Sequence, residues 1–203
     1  MKATQEHCQY CFDVLLSRLF GRPLAHVSDS ESPEYPLFVS WHKNVDGEEH
    51  LRGCVGTFTA QPLYEGLRRY AIVSSMEDSR FRPINKAELG SLTCEVSLLT
   101  DFEDVDYPMD WEIGKHGVWI EFVDHHGRSR TATFLPHIAK EQGWTKLKTM
   151  EHLLRKGGFR GEITPGTIDS IKLTRYQSSK ASLTYDEYVD ARRLKQHQAD
   201  SEE

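Results

Sequence analysis

The sequence offers no unbroken apolar run approaching the ~18 residues a membrane-spanning helix needs, so no membrane association is expected. Cysteine is scarce. Cys8, Cys11, Cys54 and Cys94 are the four in 203 residues, too few for a disulfide scaffold. The opening Met1-Lys2-Ala3-Thr4-Gln5-Glu6-His7 has no apolar core of the kind a secretory signal carries, so a reducing compartment is expected. Positive charge is also wanting. The formal net charge is −6, and the basic clusters stop at Arg68-Arg69 and Arg192-Arg193. Without a basic stripe, nucleic acid is not an expected partner. There is no internal repeat and no low-complexity stretch. Cys8-x-x-Cys11 sits in an apolar helical stripe and lacks a second pair at ligand spacing, so it reads as core packing and no metal site is expected. His125-His126 lacks a third ligand. Lys156-Gly157-Gly158 is not a P-loop, which needs glycines before its lysine. Lys156 reads either as a phosphate contact or as a cation at a helix C-terminus, where the macrodipole favours one.

What is present is ordinary for a folded soluble domain: 38% hydrophobic and 28% charged residues. The spacing predicts a helix over 4–19, with Cys8, Cys11, Phe12, Leu15, Leu16 and Leu19 on one face and Thr4 as its cap. A loop is expected over Ser28–Pro36 and a short strand over Leu37–Trp41. Asn44-Val45-Asp46-Gly47 then turns into a second strand. Pro62 opens a helix burying Leu63, Leu67, Tyr70 and Ala71. A strand over 92–99 places Leu92, Cys94, Val96 and Leu98 on one face. A hairpin is predicted from 117–123 and 129–134. A short helix follows over 136–143, then a longer one over 146–156 with Leu147, Met150, Leu153 and Leu154 inward and Gly157 as its stop. Pro165-Gly166 is expected to turn into a strand over 168–176. Thr184 with Glu187 forms a capping box for a last helix. This order implies an α+β fold with mostly antiparallel sheets flanked by helices. One domain over 4–194 and a disordered tail over 195–203 are expected.

The densest signal is Leu51-Arg52-Gly53-Cys54-Val55-Gly56-Thr57-Phe58. It reads as a strand, yet it holds two glycines three apart. Glycine in a strand marks a place where a backbone or a ligand comes close. Strict alternation puts Arg52 and Cys54 on one face. A guanidinium beside a thiol favours the thiolate, the reactive form of cysteine. Cys54 therefore reads as a nucleophile or ligand contact, or else as a small buried thiol. His50, about 13 Å along an extended strand from Cys54, is too far to serve as its base.

The octet resembles the hallmark motif of the AMMECR family, named for an X-linked deletion syndrome. The resemblance continues through Asp78-Ser79-Arg80-Phe81-Arg82-Pro83, Glu95-Val96-Ser97-Leu98-Leu99-Thr100 and Arg130-Thr131-Ala132-Thr133-Phe134-Leu135-Pro136. Glu141-Gln142-Gly143-Trp144 and Leu154-Arg155-Lys156-Gly157-Gly158 extend it, so that it spans about Glu6 to Arg192. It implies two α+β lobes with a cleft between them and a cytoplasmic and nuclear location. It also implies association with Memo-type proteins, which are similar to non-haem iron dioxygenases, and with radical S-adenosylmethionine enzymes. This chain lacks the cysteines for an iron–sulfur cluster of its own.

The candidate catalytic residues are Cys54, Arg52 and Glu95. The family motif matches Arg52, Gly53, Cys54 and Gly56. Gly53, Gly56, Asp78, Arg80, His137 and Gln142 are candidate ligand contacts. Asp78 and Arg80 read either as a fork for a small anion or as an internal ion pair. Glu95, on the face opposite Cys94 and Val96, is a general base if burial raises its pKa, and otherwise a paired or solvated carboxylate. His137, Glu141 and Gln142 lie at a strand-to-helix junction, where functional groups often sit. Two functions follow: a small-ligand-binding or enzymatic protein working around Cys54, or a non-catalytic adaptor acting through protein contacts.

Overall fold

A computed structural model describes residues 1–24 and 33–199. The chain divides into two compact units, Met1–Leu98 with Ser179–Glu203, and Leu99–Ser178. Six strands follow the order β2-β1-β3-β6-β4-β5. The pairs β1–β2, β1–β3, β4–β5 and β4–β6 are antiparallel. Together with the helices they make the α+β fold that the element order implies. Most of the loop expected from Ser28 onward lies outside the described residues.

In the first unit, α1 (Gln5–Phe20) starts at Thr4, whose backbone N–H donates to His7 Nδ1 at 3.0 Å. It ends on Gly21 at φ 66°, a left-handed cap that glycine adopts without strain. The strands β1 (Glu34–Val45) and β2 (Glu48–Pro62) are joined through Asp46 and Gly47, both at positive φ, the conformation a tight two-residue hairpin requires. Pro62 leads into α2 (Leu63–Ile72), which passes into a π-helical turn, Val73–Glu77. A 3-10 segment, Lys86–Ser91, precedes β3 (Leu92–Val105). Alternation along the strands sends Leu37, Val39, Trp41, Cys94, Val96 and Leu98 into a core with Phe12, Leu15, Leu67 and Ala71. Phe12 meets the Trp41 indole edge-on at 5.2 Å. Cys8 and Cys11 are fully buried there, as the apolar stripe of the helix predicts, and so is Cys94 on the strand face it shares with Leu92, Val96 and Leu98.

The second unit has β4 (Gly117–Val123) and β5 (Ser129–Phe134) as a hairpin with the predicted bounds. It continues through α3 (Pro136–Glu141) and α4 (Lys146–Lys156). Trp111, Val118, Ile120, Phe122, Met150, Leu153, Leu154 and Leu173 form its core. Two expectations are corrected here. Leu147 is 53% exposed, because it lies in the first turn of α4, off the stripe that Met150, Leu153 and Leu154 define. Pro165-Gly166 does not turn into a strand. Thr164 accepts from the Thr167 N–H at 3.2 Å and starts a short helix, α5 (Pro165–Asp169). The last strand, β6 (Lys172–Thr184), starts later and runs eight residues past Tyr176 into the first unit.

The final helix, α6 (Tyr185–Ala199), begins at the predicted capping box. Thr184 N–H donates to Glu187 Oε2 at 2.8 Å and Glu187 N–H donates to Thr184 Oγ1 at 3.3 Å. The helix enters the segment read as tail; residues 200–203 lie outside the described ones. Thr184→Ala is expected to cost about 1 kcal/mol, as loss of an N-cap does. Urea denaturation monitored by circular dichroism checks this; an unchanged midpoint would show that Tyr188 and Arg192, both bonded to Asp13, hold the helix alone.

Candidate functional site

Cys54 lies on β2, opposite Ser40 of β1, and Ser40 in turn lies opposite Glu95 of β3. Cross-strand partners in an antiparallel sheet point to the same face. Cys54, Ser40 and Glu95 therefore form one row across three strands, on the face turned away from Trp41 and Val96. The Ser40 hydroxyl donates to Cys54 Sγ at 3.1 Å. On the next strand, Lys180 Nζ donates to Glu95 Oε1 at 3.0 Å. Glu95 is thus a paired carboxylate, and the predicted assignment of its face holds.

The backbone of Cys54 is gripped from outside the sheet. Strand β2 is an edge strand, and its outward N–H and C=O groups need partners. Asp78 Oδ2 accepts the Cys54 N–H at 3.0 Å, and Arg80 Nη2 donates to the Cys54 carbonyl at 2.9 Å. The two clamping side chains are bonded to each other. Arg80 Nε meets Asp78 Oδ1 at 2.9 Å and Nη2 meets Oδ2 at 2.7 Å. The Arg80 guanidinium holds the Asp78 carboxyl well below the usual carboxylate range; burial works against it, and the Cys54 N–H adds to it. Of the two readings of Asp78 and Arg80, the geometry is that of an internal pair, one that also does the work of a neighbouring strand.

Arg52 does not stand beside Cys54. The register steps from Trp41↔Gly53 to His42↔Leu51, leaving Arg52 as the extra residue of a β-bulge. The bulge resets the alternation and turns Arg52 to the side of Lys43, away from the thiol. There its fork grips Glu88 of the 3-10 segment, Nε to Oε1 at 3.0 Å and Nη2 to Oε2 at 3.1 Å, and Lys43 Nζ joins at 3.2 Å. Burial alone would raise the Glu88 pKa; the Arg52 fork, the Asn85 N–H and Lys43 outweigh it and bring the carboxyl to about 2.

Both motif glycines answer to the protein's own packing. A Cβ on Gly53 would lie 2.0 Å from the Ser74 carbonyl oxygen of the π-helical turn. A Cβ on Gly56 would lie 2.3 Å from the Leu37 carbonyl oxygen and 2.4 Å from the Phe38 ring. Of the two causes of close approach weighed for a strand glycine, a neighbouring backbone is the one found.

Seven of the nine candidate residues fall in the first unit: Arg52, Gly53, Cys54, Gly56, Asp78, Arg80 and Glu95. His137, half-buried in the first turn of α3, and Gln142, exposed at its C-cap, belong to the second. Sequence reasoning missed Ser40, Glu88 and Lys180. Glu88 had a legible signal, the capping box that Asn85 opens; its Oε2 accepts the Asn85 N–H at 3.1 Å. Ser40 shows as the polar residue alternating between Val39 and Trp41. Lys180 had none, because it lies beyond Tyr176, where the predicted strand ends. Among the described residues no group of three or more His, Cys, Asp or Glu is placed to hold a metal ion, and no helix is long and apolar enough to cross a membrane.

Fold and site together define an α+β protein in which an edge strand, locked by an Asp–Arg pair, carries a half-buried cysteine. The chain belongs to the AMMECR1 family, whose model matches residues 8–181. It is similar to an uncharacterised protein of Arabidopsis thaliana, 43% identical over 198 residues that cover 93% of this chain and 89% of the relative. An uncharacterised protein of Schizosaccharomyces pombe is 40% identical and covers 91% of this chain and 95% of its own length. A protein of Methanocaldococcus jannaschii is 31% identical, with 84% and 85% covered. The crystal structure of an uncharacterised protein from Pyrococcus horikoshii has the same fold, with a TM-score of 0.65 at 22% identity over 86% of this chain and 88% of that one.

Proposed function

We propose that the protein binds a small molecule on the sheet face that carries Ser40, Cys54 and Glu95, and that Cys54 is the group that contacts or attacks it. One observation carries this reading. Cys54 alone among the four cysteines is only half-buried, while Cys8, Cys11 and Cys94 are fully buried. It is also the one whose backbone is held through both its N–H and its C=O by side chains. A site that must present a reacting atom needs such fixed geometry. The Ser40 hydroxyl donates a hydrogen bond to Cys54 Sγ and so fixes where the sulfur sits. Glu95, two strands across the same row from Cys54, and the Lys180 bonded to it supply paired charges to orient a polar ligand. The thiol chemistry proposed here does not call on Arg52. The family resemblance supports a Memo-type protein as a partner in the same pathway, with the cytoplasm and nucleus as its place.

Native alkylation tests the reading. Iodoacetamide is expected to label Cys54 in the folded protein, and Cys8, Cys11 and Cys94 only after unfolding, as read by peptide mass spectrometry. Ser40→Ala is expected to slow Cys54 labelling several-fold while the core thiols stay protected. A Cys54 as inert as the three core thiols would sink the proposal. Small molecules released from the wild-type protein and from Cys54→Ser, compared by mass spectrometry, then identify the ligand. If both forms release the same set while Cys54 labels freely, the adaptor reading takes over.

A further inference from the structure

The second unit holds a cavity of about 440 Å³ whose wall is strongly basic. His125, His126, Arg128 and Arg130 come from the β4–β5 hairpin, and Lys156 and Arg160 from the end of α4 and the loop beyond it. Four of these six side chains carry permanent positive charge, in a chain whose net charge is −6.

The chain's own anions do not account for this cluster. Asp124, buried beneath the hairpin turn, is the single carboxylate among the described residues bonded to any of the four cations. Its Oδ2 accepts from Arg128 Nε and from Arg130 Nε, each at 3.1 Å. Its Oδ1 takes the backbone N–H groups of His126 and Arg128. Each arginine is thus anchored through Nε, and the two Nη nitrogens of each make no hydrogen bond among the described residues. Arg160 makes no hydrogen bond or ion pair among them either. Lys156 Nζ donates to the Thr133 carbonyl at 2.7 Å and lies 4.6 Å from the Phe134 ring centroid. A neutral carbonyl and a ring face hold the ammonium in place but leave its charge uncompensated.

The helix macrodipole explains one cation at the end of α4. It does not explain two arginines brought from a hairpin to face it. Four like charges around one concavity repel one another, the more so at the partly desolvated Lys156 ammonium than at Arg128 and Arg130, whose side chains are 59% and 40% exposed. Such an arrangement is favourable once an anion sits among them. Guanidinium forks suit planar or tetrahedral oxyanions, and a fork held by Nε presents its Nη edge ready oriented. Burial pushes the Lys156 pKa down, the response of a cation that lacks a partner.

We propose that this cavity binds the phosphoryl or pyrophosphoryl group of a small molecule, with Arg128, Arg130, Lys156 and Arg160 as its contacts and Asp124 as the residue that positions the two hairpin arginines. The volume lies within the range of small-ligand pockets and exceeds what a single phosphate fills. The ligand therefore carries a body beyond its charged group. This inference rests on the second unit alone and stands independently of the chemistry at Cys54.

Isothermal titration of the full chain with inorganic pyrophosphate and with adenosine diphosphate, at about 150 mM salt to screen non-specific attraction, tests it. Saturable one-to-one binding of either probe is expected, weakened about tenfold by Arg160→Ala and again by Lys156→Met. Lys148→Ala, an exposed cation elsewhere on α4, is expected to leave it unchanged. Pyrophosphate alone binding would assign the site to the charged group. Tighter binding of the nucleotide would show that the body is recognised too. No saturable binding of either probe, or binding equally weakened by Lys148→Ala, overturns the proposal. So does binding confined to long RNA and lost at this salt, which would mark a diffuse electrostatic surface.

Discussion

Gly53→Ala is expected to destabilise the protein by about 3 kcal/mol or more, the upper end of what overpacking costs. The reason is the partner that a methyl group would meet. At 2.0 Å its Cβ would overlap the Ser74 carbonyl oxygen, which is backbone and cannot swing aside as a side-chain tip can. Relief requires β2 to part from the π-helical turn, and that turn leads directly into Asp78. The same shift would therefore loosen the clamp on Cys54. The melting temperature is expected to fall by roughly 10 °C, and Cys54 in the surviving folded fraction should label faster. Gly90→Ala is the control, since a Cβ there meets nothing within 4 Å. If Gly53→Ala melts with the wild type, the close approach of Ser74 is not a feature of the folded state.

Arg52→Ala is the second large effect, at about 3 kcal/mol, the cost of stranding one partner of a buried ion pair. The Arg52 and Glu88 side chains are 13% and 12% exposed. Removing the guanidinium leaves Glu88 with Lys43 and the backbone and side-chain N–H groups of Asn85 as its compensation. Arg52→Lys is expected to recover little, because an ammonium cannot reproduce the two-point fork. The pH dependence separates this pair from others. Glu88 has a folded-state pKa of about 2, below the ~4.3 of an unfolded glutamate. A depressed carboxyl contributes stability that is fully present above the unfolded value and is lost as pH falls through the folded one. Urea midpoints measured from about pH 5 to about pH 2 should therefore fall less steeply in Arg52→Ala than in the wild type. Asp78 and Arg80 are intact in both proteins, so their contribution cancels. Parallel acid limbs would mean that Arg52 is not what holds Glu88 ionised. Labelling of Cys54 should change little in Arg52→Ala, because the bulge points the guanidinium away from the thiol.

The elements easiest to read were those whose pattern is local. The bounds of α4 and of the 117–134 hairpin follow from apolar spacing, glycine and turn residues within a few positions. The capping box at Thr184 needs a partner three residues away. Reading failed where a long-range partner intervened. Leu147 fits a helical apolar face by spacing, but only the packed core decides which arc of the helix is inward. The strand expected at 168–176 yielded its start to a helical turn for a different, local reason: Thr164 caps Thr167 three residues on, a signal the sequence carries.

The candidate site divides along the same line. Sequence by itself determined the α+β class, the burial of Cys8, Cys11 and Cys94, the face of Glu95 and the family, because periodicity and motif are written in neighbouring residues. Tertiary structure decided what the motif residues do. A bulge exists only relative to a partner strand, so the separation of Arg52 from Cys54 is invisible until β1 is laid beside β2. The need for glycine at 53 is legible, but the Ser74 carbonyl that imposes it arrives from 21 residues further along the chain. Ser40, Asp78 and Arg80 converge on Cys54 for the same reason: hydrogen-bond partners are set by where the folded backbone passes, and distance along the chain does not encode that.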